Sequence, residues 1–138
     1  MFLWNDSYSV GIEEIDNQHK ELLSLIAKLF NGTRFKKNID EISDITDELT
    51  NFAIVHFQLE YNYMTKYSYP DIKAHTDEHN EITRKLNEFK FGLKNYNVDD
   101  FASELMVLLK KWFVSHLTLT DKKLYEYLKT LKVDFSKL

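Results

Sequence analysis

Five histidines are the residues of this chain whose type and placement could do chemistry. Each stands on the apolar side of a segment whose hydrophobic residues recur at helical spacing, every three or four positions. The five are His19, His56, His75, His79 and His116. Buried polar groups need partners, and apolar neighbours cannot satisfy five imidazoles. A metal centre is the simplest partner that all five could share.

The spacing of two pairs strengthens this interpretation. His75 and His79 are four residues apart, so they project from one face of a helix and could hold one ion together. His56 and Glu60 have the same spacing. Together with Asp121, the chain offers more ligands than the three or four of a single zinc site. The set predicts two metal ions bridged by the carboxylates, and ligands without sulfur favour iron, or less often manganese.

The separation between His116 and Asp121 predicts a distortion of the last helix. Asp121 follows His116 by five positions, and five residues of a regular α-helix turn a side chain about 140° off the face. We therefore predict either a wider, π-helical turn or a bend near Thr118. Either distortion would bring Asp121 back to the face that carries His116.

The balance of ligand types favours one kind of reactivity. Di-iron carboxylate bundles draw Glu from two helices and Glu-x-x-His from the other two, and this chain has no inward Glu-x-x-His. Neutral imidazoles donate less negative charge than carboxylates, so we expect the ferrous state to be favoured and high-valent iron to be less stabilised. This favours reversible binding of dioxygen over its use to oxidise a substrate.

Four helices and an N-terminal arm are needed to position these side chains. Hydrophobic periodicity, the Asn-Gly at 31–32 and Pro70 divide the chain into its elements. We predict an arm at 1–12, helices at about 13–30, 40–66, 70–95 and 99–117, and a helical extension at about 120–132. Short connections make consecutive helices antiparallel neighbours. The expected fold is all-α, an up-down-up-down antiparallel four-helix bundle in a single domain over 1–138.

Composition argues against several other classes of function. The chain has 138 residues, a net charge of −4 and no dense Lys/Arg run, which argues against binding to nucleic acid or to an anionic membrane. The absence of cysteine excludes disulfides and thiolate metal sites. No stretch approaches the roughly 18 apolar residues of a membrane span, and the first residues do not look like a signal peptide. We therefore expect a cytoplasmic protein.

Four short motifs, in this order, resemble those of the hemerythrin family in its bacterial single-domain form. The motifs are IDNQH at 15–19, HFQLE at 56–60, HTDEH at 75–79, and WFVSH at 112–116 followed by Asp121. Any one of them alone would be weak, whereas the ordered set is highly specific. One departure is Tyr61, where many relatives have an acidic residue, and we do not expect it to remove a ligand.

The resemblance implies a non-haem di-iron centre and a role for each ligand. The ligands of one iron would be His75, His79 and His116, and those of the other would be His19 and His56. Glu60 and Asp121 would bridge the two irons together with an oxo or hydroxo group. The second iron would keep an open position, where dioxygen would enter.

A dry apolar pocket would receive the dioxygen, because water would promote oxidation of the centre. In the family, side chains one turn before the last histidine and directly after it line this pocket, here Trp112, Phe113 and Leu117. The implied function is reversible dioxygen binding for storage, delivery or scavenging, without enzymatic activity. Two alternatives stay open: an oxygen or redox sensing module, and a di-iron enzyme such as an oxidase or a reductase of peroxide or nitric oxide. The sequence does not identify a protein partner.

Overall fold

Long amphipathic segments with few glycines fold here into an all-α four-helix bundle with an N-terminal arm, as predicted. The structure is a computed structural model that describes residues 3–34, 38–93 and 98–136. A 3-10 turn in the arm spans Asp6–Tyr8. The helices are α1 (Glu13–Arg34), α2 (Ile39–Lys66), α3 (Ile72–Gly92), α4 (Val98–Ser115) and α5 (Lys122–Thr130), and a π-helical turn (His116–Asp121) joins α4 to α5.

The long helices pack through the stripes that the periodicity predicts. Consecutive helices contact one another, and α1 also contacts α4, which closes the bundle. In α1, the buried stripe includes Leu22, Ile26 and Leu29. Full burial of one such side chain contributes about 1.5–3 kcal/mol to stability. Each helix keeps a polar face as well, and none of the described helices is both long and apolar enough to cross a membrane.

The buried residues form three layers along the bundle. The larger core contains members of all four long helices, among them Leu22, Phe57, Ile82 and Phe113. The smaller core contains Ile15, Met64, Leu124 and Tyr125. A polar layer separates the two cores, and we use this name for His19, His56, Glu60, His75, His79, His116 and Asp121. The site is thus enclosed by apolar packing on both sides.

Several predicted helix boundaries differ from the structure. The third helix is predicted to run to about 95, but α3 ends at Gly92, and residues 94–97 lie outside the described residues. The two other clear differences are the end of α1 and the start of α3. The Asn-Gly at 31–32 predicts a loop, but α1 continues to Arg34. Gly32 is buried in this last turn, so tertiary packing overrides the local preference for a turn. The remaining part of the predicted loop, residues 35–37, lies outside the described residues.

The start of α3 also differs, because the chain makes a turn where Pro70 is expected to open the helix. Ser68 takes a left-handed backbone conformation with a φ of 53°. The N–H of Tyr69 donates to the carbonyl of Met64 at 2.9 Å, which ends α2. The helix therefore begins only at Ile72.

The arm is fastened to the bundle at both sides. The N–H of Val10 donates to Oδ1 of Asp16 at 2.8 Å, in the first turn of α1. From α5, the ammonium group of Lys129 donates to the carbonyl of Val10. Gly11 has a φ of 77°, a conformation that glycine adopts without steric cost. These contacts hold the arm against α1 and α5.

Candidate metal centre

The seven side chains singled out by the sequence meet in the polar layer. Their ligand atoms form two overlapping groups, and the atoms of each group lie within 4.8 Å of one another. The larger group is Glu60, His75, His79, His116 and Asp121, and the smaller group is His19, His56, Glu60 and Asp121. The two carboxylates belong to both groups, and all seven residues are buried.

The π-helical turn brings the last two of these residues together. Nε2 of His116 and Oδ1 of Asp121 lie 2.9 Å apart, although five positions separate the residues. The turn comprises six residues, His116–Asp121, and the flanking Ser115 and Lys122 have α-helical backbone angles. The predicted wider turn is confirmed. The helix continues through it, so the alternative of a break near Thr118 does not apply.

The histidines turn the same ring nitrogen, Nε2, toward a common centre. In the larger group, Nε2 of His79 and Nε2 of His75 lie 3.0 Å and 3.2 Å from Oε1 of Glu60. In the smaller group, the Nε2 atoms of His19 and His56 are 3.2 Å apart. Inward donor atoms therefore come from α1, α2, α3 and the π-helical turn.

Hydrogen bonds alone cannot satisfy this arrangement. A ring nitrogen carries either one proton or one lone pair. Nε2 of His79 nevertheless lies 3.0 Å from Oε1 of Glu60 and 3.0 Å from Nε2 of His116. Converging lone pairs of imidazoles and carboxylates are the donor set that iron and manganese ions take. The residues present fit a pair of such metal ions.

Comparison with known families agrees with this donor set. The model of the hemerythrin HHE cation binding domain matches residues 10–128, which include the whole polar layer. This chain belongs to the hemerythrin family. The resemblance inferred from the four motifs is thereby confirmed.

Three relatives show how much of this hemerythrin is shared with other proteins. A bacteriohemerythrin of Clostridium acetobutylicum is 29% identical over 126 residues, which are 89% of this chain and 98% of the relative. A bacteriohemerythrin of Pseudomonas aeruginosa is 29% identical over 119 residues, which are 86% and 76% of the two chains. A hemerythrin-like protein of Naegleria gruberi is 30% identical over 122 residues, which are 88% and 89%.

Sequence analysis of this hemerythrin missed four residues that contact the polar layer. They are Gln18, Phe57, Glu78 and Tyr125. Three of them are part of the motifs IDNQH, HFQLE and HTDEH, directly beside a histidine of the polar layer in sequence. Tyr125 follows Asp121 by four positions, the spacing that puts two side chains on one helix face. From that spacing the sequence could have predicted that Tyr125 faces the same side as Asp121.

Tyr125 is the most buried of these neighbours. Its hydroxyl donates to Oε2 of Glu60 at 2.7 Å, and the residue is 0% exposed. Burial, followed by the charge of Glu60, raises the pKa of the Tyr125 phenol well above its usual value. The phenol therefore keeps its proton and holds it at one oxygen of a shared carboxylate.

We expect Tyr125→Phe to lower the free energy of unfolding by about 1.5–3 kcal/mol, because a hydrogen bond to a charged group contributes about that much. Tyr127→Phe is the matched control, since the Tyr127 hydroxyl donates to the carbonyl of Tyr67, outside the polar layer. Urea unfolding measures both variants, and the optical spectrum of the iron-loaded protein should shift only in Tyr125→Phe. Equal effects of the two variants on stability and spectrum would show that the bond to Glu60 has no special role.

The charges of the polar layer shift one another's protonation. Burial alone would raise the pKa of Glu60, but the charge of His56 and hydrogen bonds from histidines hold it well below its usual value. Burial alone would lower the pKa of His75, but hydrogen bonds to Asp121 and Glu60 raise it to about 9. Burial alone would likewise lower the pKa of His116, but the charge of Asp121 and hydrogen bonds to Asp121 and Glu78 together raise it to about 10.

We expect protein stripped of metal by a chelator to lose stability as the pH rises from about 6.5 to about 10. A histidine whose pKa is higher in the folded than in the unfolded state stabilises the fold fully below the unfolded value of about 6.5. That stabilisation is lost as the pH rises through folded values of about 9 for His75 and about 10 for His116. Urea midpoints across this range measure the effect.

Iron-loaded protein is the control for this pH series. Metal binding needs deprotonated ligands, so the loaded protein should not lose stability over the same pH range. A midpoint of the stripped protein that stays constant with pH would show that the two histidines are not charged in the folded chain.

The three residues predicted to line an oxygen pocket lie next to the polar layer. Trp112 stacks on the ring of His116, with ring centroids 4.4 Å apart and an angle of 11° between the planes. Phe113 and Leu117 are each 1% exposed and belong to the larger core. Tyr8 of the arm covers Phe113 edge-on at 5.6 Å. Their contact with dioxygen stays a prediction.

Proposed function

We propose that this hemerythrin binds dioxygen reversibly at a non-haem di-iron centre, for storage, delivery or scavenging of oxygen. The observation that carries the proposal is the convergence of five Nε2 atoms and two shared carboxylates in one buried layer. In the proposed centre, one iron would be held by His75, His79 and His116, and the other by His19 and His56. Glu60 and Asp121 would contribute to both irons, together with an oxo or hydroxo group.

The two ligand groups support an unequal pair of irons. Besides the shared carboxylates, one group contains three histidines and the other contains two. The iron with two histidines would therefore be the one that has room for dioxygen. When bound, the two ferrous ions would supply the electrons that dioxygen accepts and returns.

The residues around the layer have complementary tasks in this proposal. Trp112, Phe113 and Leu117 exclude water, and Tyr8 of the arm covers Phe113. Tyr125 holds a proton at Oε2 of Glu60 and so fixes which way that carboxylate faces. A buried, imidazole-rich layer supports a carrier over an enzyme, because neutral imidazoles donate less negative charge than carboxylates and so stabilise high-valent iron less.

The optical spectrum of the reduced protein, with iron quantified per chain, tests the proposal. We expect two irons per chain, a coloured form on exposure to oxygen, and return of the starting spectrum when oxygen is removed. Continuous consumption of oxygen with an added reductant, and no long-lived coloured form, would instead indicate a di-iron enzyme. A protein that takes up no iron would overturn the di-iron centre itself.

We expect Leu117→Ala to shorten the lifetime of the coloured form by about tenfold, because a smaller side chain lets water approach the centre. Leu109→Ala is the matched control, since Leu109 is equally buried at 1% exposure but belongs to α4, two turns before Leu117. Both variants should lose stability by about 2–5 kcal/mol. Equal lifetimes in the two variants would remove Leu117 from the pocket.

A further inference from the structure

The two ligand groups differ in the residue that accepts a hydrogen bond from the outer ring nitrogen, Nδ1, of one of their histidines. In the larger group, the outer nitrogen Nδ1 of His116 donates to the carboxylate of Glu78 at 3.1 Å. In the smaller group, Nδ1 of His56 donates to the amide oxygen of Gln18 at 2.6 Å. One partner is anionic and the other is neutral. The Nδ1 atoms of His19 and His75 have no hydrogen-bond partner among the described residues.

Glu78 is held in place from two directions. The hydroxyl of Thr120, in the π-helical turn, lies 2.9 Å and 2.8 Å from the two carboxylate oxygens and donates to them. The indole N–H of Trp112 donates to the backbone carbonyl of Glu78 at 3.3 Å, and the same indole stacks on His116. The Glu78 side chain is 36% exposed, so water solvates its charge while its neighbours aim it at His116.

An anionic acceptor changes what an imidazole does at its other nitrogen. A carboxylate that accepts the Nδ1 proton makes Nε2 a stronger donor, and outer partners of this kind tune bound metals. A neutral amide accepts the same proton with a weaker, uncharged interaction. Stronger donation stabilises ferric iron relative to ferrous iron, which lowers the reduction potential of that iron.

We propose that Glu78 is a positioning residue that makes the two irons electrochemically unequal, with Gln18 as its neutral counterpart. The inference rests on the proposed di-iron function. The iron held by His116 has the lower reduction potential. When a chemical reductant such as dithionite delivers one electron to the di-ferric protein, the iron held by His19 and His56 accepts it. The second electron would then reduce the iron held by His116.

Redox titration of iron-loaded Glu78→Gln tests this inference. We expect the lower of the two potentials to rise by about 59 mV, which corresponds to about a tenfold change in the equilibrium constant of a one-electron step. The higher reduction potential should change much less, so the difference between the two reduction potentials should become smaller. Glu81→Gln is the matched control, because it removes the same charge from an exposed position of α3. Its two potentials should move little and together.

Gln18→Glu is an independent test that leaves Glu78 in place. It gives Nδ1 of His56 a carboxylate as its hydrogen-bond acceptor. We expect the higher reduction potential to fall by a similar amount while the lower reduction potential does not change. A wild-type chain without two irons would overturn the proposed function. Two irons whose separation of potentials is unchanged in Glu78→Gln and in Gln18→Glu would overturn this inference alone. A higher potential that stays constant in Gln18→Glu would overturn it even if Glu78→Gln loses iron.

Discussion

Stripping the metal from this hemerythrin should lower its midpoint temperature of unfolding by about 15 °C. A ligand at about a thousand times its dissociation constant stabilises the folded state by about 4 kcal/mol, and each kcal/mol moves the midpoint of a domain of this size by about 4 °C. The polar layer has two apolar cores against it, so without metal its seven ionisable groups stay buried while no ion satisfies their inward-facing donor atoms. Scanning calorimetry before and after chelation measures the shift.

Leu29→Ala is the control for this measurement. Leu29 is fully buried in the larger core and does not belong to the polar layer. Its truncation should lower the free energy of unfolding by about 2–5 kcal/mol in loaded and stripped protein alike. The difference in midpoint temperature between loaded and stripped protein should therefore stay the same. Equal midpoints for loaded and stripped wild-type protein would show that the metal does not stabilise the fold.

Glu60→Ala should abolish binding of both irons, whereas His56→Ala should leave one iron per chain. Glu60 contributes to both ligand groups, but His56 contributes only to the smaller group. Loss of the shared carboxylate also leaves the Tyr125 hydroxyl without its acceptor in the buried layer. Iron analysis after anaerobic reconstitution measures the outcome, with circular dichroism as the test that each variant is helical.

Glu126→Ala is the matched control, because Glu126 is exposed on α5 and its removal should leave two irons per chain. The assignment of shared and unshared ligands predicts the order of iron content: wild type and Glu126→Ala, then His56→Ala, then Glu60→Ala. If Glu60→Ala retained more iron than His56→Ala, Glu60 would not be a shared ligand.

The sequence predicts the polar layer well because its members lie on the periodic apolar stripes. A histidine that replaces a hydrophobic residue in such a stripe must point inward wherever the helix packs, and His19, between Ile15 and Leu22, illustrates this. The step of five from His116 to Asp121 likewise predicts the π-helical turn, because a regular helix could not bring both to one side. The four-helix bundle follows from the same stripes.

The residues that contact the outer side of the polar-layer histidines are harder to predict from the sequence. Glu78 is one residue away from the ligand His79, yet it contacts His116 on a different helix. Such a contact depends on how α3 and the π-helical turn face each other, which the spacing within one helix does not specify. The continuation of α1 through Asn31 and Gly32 has a similar cause, since local turn preference was outweighed by burial of Gly32.

The π-helical turn has a consequence for the whole C-terminal part of the chain. A turn that is one residue wider than an α-helical turn rotates every later side chain by about 100° relative to an uninterrupted helix. Leu124, Tyr125 and Leu128 face the smaller core in this rotated register. If the same sequence formed a regular α-helix here, Asp121 would therefore swing away from the polar layer and the apolar side of α5 would turn toward water at the same time. The π-helical turn thus determines both whether Asp121 faces the polar layer and whether the apolar side chains of α5 face the smaller core.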